Sequence, residues 1–112
     1  MGRQRTDRLM EIQRIDQEEI MVRFRDNPST TDSAEWLTRF RSFLNGTEKL
    51  VRVDLTPLEL LTSLGVNVVV GIYQRMEKQG GTIRVEVASD KTRHVLELFQ
   101  LTTLFEVQVV QP

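Results

Sequence analysis

The sequence predicts a single small α/β domain, with a mixed sheet of about five strands in the order β-β-α-β-α-β-α-β and parallel βαβ units. Apolar residues recur at period 2 in short runs and at a helical period in the longer stretches between them. Asn, Gly, Pro, Ser and Asp gather where one period gives way to the next, as turns and helix caps require. The 112 residues, 39% of them hydrophobic, suffice for one core without staples and point to one domain rather than two.

Met10 to Asp16 reads as a first strand, and Ile20, Val22 and Phe24 alternate with Met21, Arg23 and Arg25 in a second. The polar turn Asp16-Gln17-Glu18-Glu19 between them predicts a hairpin. Asn27-Pro28-Ser29-Thr30-Thr31 is a loop by its turn chemistry. Asp32 and Glu35 have capping-box spacing, and Trp36, Leu37, Phe40, Phe43 and Leu44 share one face of the helix that should follow. Asn45-Gly46, both tolerant of a left-handed cap, should end it. Asn45-Gly46-Thr47 matches a glycosylation sequon, but with no export signal in view it reads as a helix stop.

Leu50-Val51-Arg52-Val53-Asp54-Leu55 is the most strand-like segment of the chain. A helical stripe then runs through Leu64, Val68, Val69, Ile72, Tyr73 and Met76 to Lys78, broken by Gly80-Gly81. Its start has two readings. Thr56-Pro57-Leu58-Glu59 is a good helix opening, with a capping threonine and proline at the first position. Alternatively 56–62 is irregular and the helix begins at Thr62 or Ser63, which accommodates Gly65 more easily. Thr82 to Ala88 alternates as a strand. Asp90 should cap a third helix, with Val95, Leu96 and Phe99 facing the core, and Phe105, Val107 and Val109 mark a last strand. Residues 1–9 read as a flexible, locally basic tail and 10–112 as the domain.

Composition excludes several functions. With 15 basic against 16 acidic residues the net charge is -1, so no long-range field draws in nucleic acid. The chain has no cysteine, which removes thiol catalysis and cysteine-bound zinc. The tail lacks the apolar region of a signal peptide and no apolar run could span a bilayer, so a cytoplasmic location without membrane insertion is expected.

Catalytic constellations are scarce as well. His94 is the single histidine and has no ligand-spaced carboxylates beside it, so it reads as a surface residue and no metal site is expected. There is no G-x-G-x-x-G and no Walker A, and Gly80-Gly81 follows a helix, on the wrong side of a strand for a phosphate cradle. Ser63-Leu64-Gly65 lacks the upstream glycine of a nucleophile elbow. A non-enzyme without cofactor is expected. In an open α/β sheet the working surface lies beyond the carboxyl ends of the parallel strands. Three loops belong there, Asp26 to Thr31, Thr56 to Ser63, and Ser89 to Asp90, and most of their hydroxyls should serve as helix caps. Ser63 stands apart as a hydroxyl at the amino end of the central helix. A phosphate on it would meet unpaired amides and the positive end of the dipole, and would bring roughly two negative charges to a near-neutral surface.

Several runs together resemble the STAS domain, named for sulfate transporters and anti-sigma factor antagonists. They are Leu50 to Leu55, Thr62-Ser63-Leu64-Gly65-Val66, Gly71-Ile72-Tyr73, Lys78-Gln79-Gly80-Gly81, and Val95 to Leu101 followed by Leu104-Phe105. The similarity extends over about residues 10 to 110 and implies a STAS-like fold. In the antagonist branch the pattern Asp-Ser-Ser-Gly opens the second helix, and its first serine is phosphorylated by a kinase that doubles as an anti-sigma factor. Aligned on Gly65, that serine corresponds to Ser63, while Thr62 stands for the aspartate and Leu64 for the second serine. The family's Gly-Glu-Leu-Asp after the second strand is replaced by Asn27-Pro28-Ser29-Thr30.

The resemblance implies a bacterial partner-switching regulator of transcription, with Ser63 as phosphoacceptor and Thr62 as the alternative. Its protein partner would be a serine kinase acting as anti-sigma factor. The expected contact surface comprises Thr62, Ser63, Leu64, Gly65 and Val66 with Ser89 and Asp90, and Gly65 would allow close approach of the partner. A constitutive scaffold, a cytosolic transporter subunit and a small-ligand or nucleotide-binding module are the other roles the family offers.

Overall fold

The structure, a computed structural model, describes residues 9–110. The tail expected over residues 1–9 lies outside the described residues, except for Leu9. Strands β1 (Met10–Arg14) and β2 (Glu19–Phe24) pair antiparallel, with Met10 opposite Phe24 and Arg14 opposite Ile20. β1 ends two residues before Asp16, because the Ile15 and Asp16 amides both turn to donate to the Glu19 carbonyl.

Helix α1 (Thr30–Phe43) begins earlier than Asp32. Its capping box is Ser29 with Asp32 at the third position, which corrects the pairing of Asp32 with Glu35. Its end also differs from expectation. Leu44 caps it in extended conformation, and the left-handed residue Gly46 (φ 93°) lies two positions further on, in the turn toward the next strand. Phe43 is 36% exposed and lies 5.4 Å beneath the Arg14 guanidinium instead of in the core.

Strand β3 (Leu50–Asp54) leads through an irregular segment to α2 (Ser63–Lys78), so the second reading of the central helix holds. Thr62 is its cap, and Leu58 and Leu61 are buried in the segment before it. The helix packs closely on α1 at Gly71, where an added Cβ would stand 2.7 Å from Leu37 side-chain atoms. Strand β4 (Thr82–Val87) and helix α3 (Asp90–Leu98) follow. Ser89 caps α3, not Asp90, which is the first helical residue and meets the positive end of the dipole. Phe99 is the C-cap of α3, beyond its inward face, and is 50% exposed. A short 3-10 turn, Leu101–Thr103, returns the chain to β5 (Glu106–Val109).

The sheet order is β1-β2-β3-β4-β5, antiparallel at the first pair and parallel elsewhere. Right-handed crossovers that always step in one direction put every helix on the same face. Burial agrees: the row Ile12, Val22, Val53, Val85, Val107 and its neighbours Ile20, Val51, Ile83 and Phe24 form the core beneath the helices. The opposite face is a lattice of ion pairs, Glu11 with Arg23 and Arg25, Arg23 with Asp54, Arg52 with Glu19, and Arg84 with Glu106. Met21 is the buried apolar residue of that face, its sulfur 3.6 Å from Arg23 Nη2.

Glu48, at the amino edge of the parallel strands, is fully buried. Its carboxylate accepts from Arg14 Nη2 and the amides of Asn45 and Gly46, with Gln79 Nε2 at 3.3 Å. Burial pushes its pKa up, but the hydrogen bonds from Arg14, the backbone and Gln79 outweigh this and bring it from 4.5 to about 2. One carboxylate thus joins the hairpin, the α1–β3 turn and the end of α2.

Candidate partner-docking site

The site is built at the other edge, where β2, β3 and β4 deliver their loops to the amino ends of α1, α2 and α3. Asp54, the last residue of β3, starts the α2 approach. Its carboxylate accepts from the Thr56 amide at 2.9 Å, Thr56 Oγ1 at 2.7 Å and Arg23 Nε at 2.8 Å. Burial raises its pKa, yet the bonds from Thr56 and Arg23 prevail and hold it below the usual carboxylate value. The chain then turns through a Leu58 N to Leu55 O bond of 3.0 Å. Leu58 and Leu61 anchor the segment inward, while Leu60 between them is 62% exposed.

Asn27 reaches this segment from the β2–α1 loop. Its Nδ2 donates to the Leu60 carbonyl at 2.9 Å, and its Oδ1 accepts from the Thr62 amide at 2.9 Å and from Thr62 Oγ1 at 3.1 Å. Thr62 Oγ1 in turn accepts from the Gly65 amide at 3.2 Å, and the Thr62 carbonyl takes the Val66 amide at 2.9 Å. The helix is therefore capped at Thr62, and Ser63 is its first residue, with an exposed side chain. The amides of a first turn have no acceptor within the helix. Thr62 serves that of Gly65, so those of Ser63 and Leu64 lie outside the cap. No acidic residue occupies this first turn, leaving the positive end of the dipole uncompensated there.

The residues singled out from sequence fall into two groups. Thr62, Ser63 and half-buried Leu64 are brought together at the surface. Gly65 and Val66 are not: Val66 is only 1% exposed, on the apolar stripe that faces the sheet. Gly65 is buried, and the close approach it permits is internal, since a Cβ there would stand 2.7 Å from both Asn27 Oδ1 and Leu61 Cδ1. Ser89 is partly buried as the α3 cap and Asp90 is exposed beside it. Between the two loops lies an open pocket of about 510 Å³, lined by Thr56, Pro57, Leu58, Glu59, Ala88, Ser89 and Lys91.

His94 is exposed and 3.4 Å from Glu97 on its own helix. Among the described residues no group of three or more metal-ligating side chains comes together, and no helix is long and apolar enough to cross a membrane. Sequence reasoning missed Asn27, Leu60 and the Asp54–Thr56 turn. Asn-Pro was legible as a loop signal, but nothing in it points 35 positions ahead.

Comparison with known proteins agrees with this architecture. The STAS domain family model matches residues 10–110, and the chain belongs to that family. Among solved structures, the anti-sigma factor antagonist SpoIIAA in its unphosphorylated form superposes with a TM-score of 0.73 at 14% identity, over 88% of this chain and 86% of that one. An anti-sigma factor antagonist from Mycobacterium paratuberculosis gives 0.73 at 17% identity, over 90% and 85% of the two chains. No curated protein matches by sequence.

Proposed function

We propose that this chain is a cytoplasmic, non-enzymatic partner switch of the anti-sigma factor antagonist kind, regulated by phosphorylation of Ser63. One observation carries the reading: Ser63 is an exposed hydroxyl at the first position of a capped central helix whose opening turn holds no acid. A serine kinase can reach it. Once attached, the phosphate would be met by the free amides and dipole of α2, and would place negative charge beside exposed Leu60 and half-buried Leu64. An apolar or acidic partner surface seated there would then be expelled. Thr62 is the weaker acceptor, because its hydroxyl is already engaged by Asn27 and Gly65.

The partner in this reading is a serine kinase that binds when Ser63 is free and lets go when it is modified. The test is to incubate the protein with candidate serine kinases of the anti-sigma factor type and ATP, and to measure intact mass. One added phosphate, abolished by Ser63→Ala but retained in Thr62→Ala, is the expected result. Ser63→Asp should weaken kinase binding at least about tenfold, the scale on which one or two charge-assisted contacts are lost. Failure of any kinase to modify the chain, with tight binding to a partner intact, would favour a constitutive scaffold, consistent with Thr62 and Leu64 in place of the family's aspartate and second serine.

A further inference from the structure

We propose that Asn27 is the positioning residue of this surface, a latch that fixes the Leu60–Ser63 turn so that Ser63 is presented to a partner. The inference rests on the reading of this turn as the docking site. Three features support it. Among the described residues, the segment 59–62 makes no other hydrogen bond to an element outside its own loop and α2, so beyond the apolar anchoring of Leu61 its polar hold rests on one carboxamide. The amide group uses both its functions at once, donating to Leu60 and accepting twice from Thr62, which neither a carboxylate nor an apolar side chain can do. These partners also fix which end of the amide is oxygen, since a backbone N–H must meet an acceptor and a carbonyl a donor.

The third feature is Gly65. The position its Cβ would take lies 2.7 Å from Asn27 Oδ1, as it does from Leu61 Cδ1, so the latch as built leaves no room for a side chain one turn into α2. Asn27 is also neutral. It orders the turn without placing a charge beside a group carried by Ser63, which an aspartate at this position would repel. Through this residue the β2–α1 loop and the start of α2 form one rigid surface although they are 33–35 positions apart in the chain.

The experiment is native-state hydrogen exchange by NMR on the full chain, with the variants Asn27→Ala, Asn27→Asp, Gly65→Ala and Asn27→Ala/Gly65→Ala. Asn27→Ala is expected to speed exchange of the Thr62 amide on the order of tenfold, the scale of one lost hydrogen bond, while the core amides of Val22 and Val53 stay slow. Asn27→Asp, which keeps the acceptor but turns an oxygen toward the Leu60 carbonyl, should restore protection of Thr62 only in part. The double variant should melt somewhat above the temperature expected from adding the two single losses, because removing the carboxamide relieves one of the two close contacts a Cβ meets, leaving the one with Leu61 Cδ1. Unchanged Thr62 exchange in Asn27→Ala, or strict additivity with Gly65→Ala, overturns the latch.

A second measurement separates the latch from the switch. With the serine kinase, Asn27→Ala should raise KM for Ser63 phosphorylation on the order of tenfold and leave kcat near the wild-type value, since a loosened turn must be ordered on binding. Exchange and melting results as expected, in a chain that takes no phosphate at Ser63, would sustain the latch and refute the phosphoacceptor reading.

Discussion

The two edges of the sheet are held by opposite kinds of chemistry. At the amino edge a fully buried carboxylate, Glu48, collects Arg14, two backbone amides and Gln79. At the carboxyl edge a neutral carboxamide, Asn27, makes three bonds in a partly exposed turn. A charge taken out of water demands full satisfaction, so the first arrangement is costly to disturb and nothing near it can move independently. The second tolerates water as a substitute, so its turn can be loosened without unfolding the core. On the proposed reading, stability and recognition would be kept at opposite ends of the same strands.

This contrast can be broken most severely at Glu48. Glu48→Ala strips the acceptor from Arg14 and two amides, and is expected to cost about 3 kcal/mol or more, a fall of roughly 10 °C or more in the melting midpoint. Acid should have a similar effect without mutation. The folded pKa of Glu48 lies near 2 against an ordinary 4.5, so its contribution is complete above about pH 5 and is lost as pH falls toward 2. Integrated, the shift amounts to roughly 3 kcal/mol, the part of the decline in denaturant midpoint over that window that Glu48→Gln removes, the rest coming from carboxylates such as Asp54. Thr62→Ala, at the other edge, should cost only about 1 kcal/mol as a lost helix cap, measured by urea unfolding. Ser63→Ala should shift stability by less than about 0.5 kcal/mol, because the side chain is exposed and caps nothing. If Ser63→Ala proved as damaging as Glu48→Ala, the division of labour between the edges would be wrong.

The order of elements was legible because each rests on local periodicity. Val51 and Val53, or Ile83, Val85 and Val87, declare a buried strand face whatever lies beside them. The caps were less legible. Ser29-Thr30-Thr31-Asp32 and Ser89-Asp90 offer several competent capping side chains in a row, and the choice falls to whichever residue last keeps extended backbone, Ser29 (ψ 176°) and Ser89 (ψ 160°). Phe43 and Phe99 fit the helical period but fall at the helix ends, where the inward face no longer has anything to cover. The place of Ser63 at the start of α2 was legible from the second reading of that helix. The inward orientation of Val66 could have been read from its spacing to Val69, since both lie on the stripe that continues through Ile72 and Met76. Asn27 and Glu48 could not be read at all. Asn27 bonds to residues 33 and 35 positions away, and Glu48 adds to its local amides Arg14 and Gln79, 34 and 31 positions away; such distant partners follow from the fold rather than from any local pattern.

The order of the strands has a consequence for how the domain is made. Each parallel strand is laid beside the one that precedes it in the chain, so no strand waits for a later one to fill a gap. Pairings of this kind keep the loops to be closed as short as a parallel sheet allows. During synthesis every new βα unit meets a finished edge as it emerges, and the Leu60–Ser63 turn can be set by Asn27 before β4 has left the ribosome.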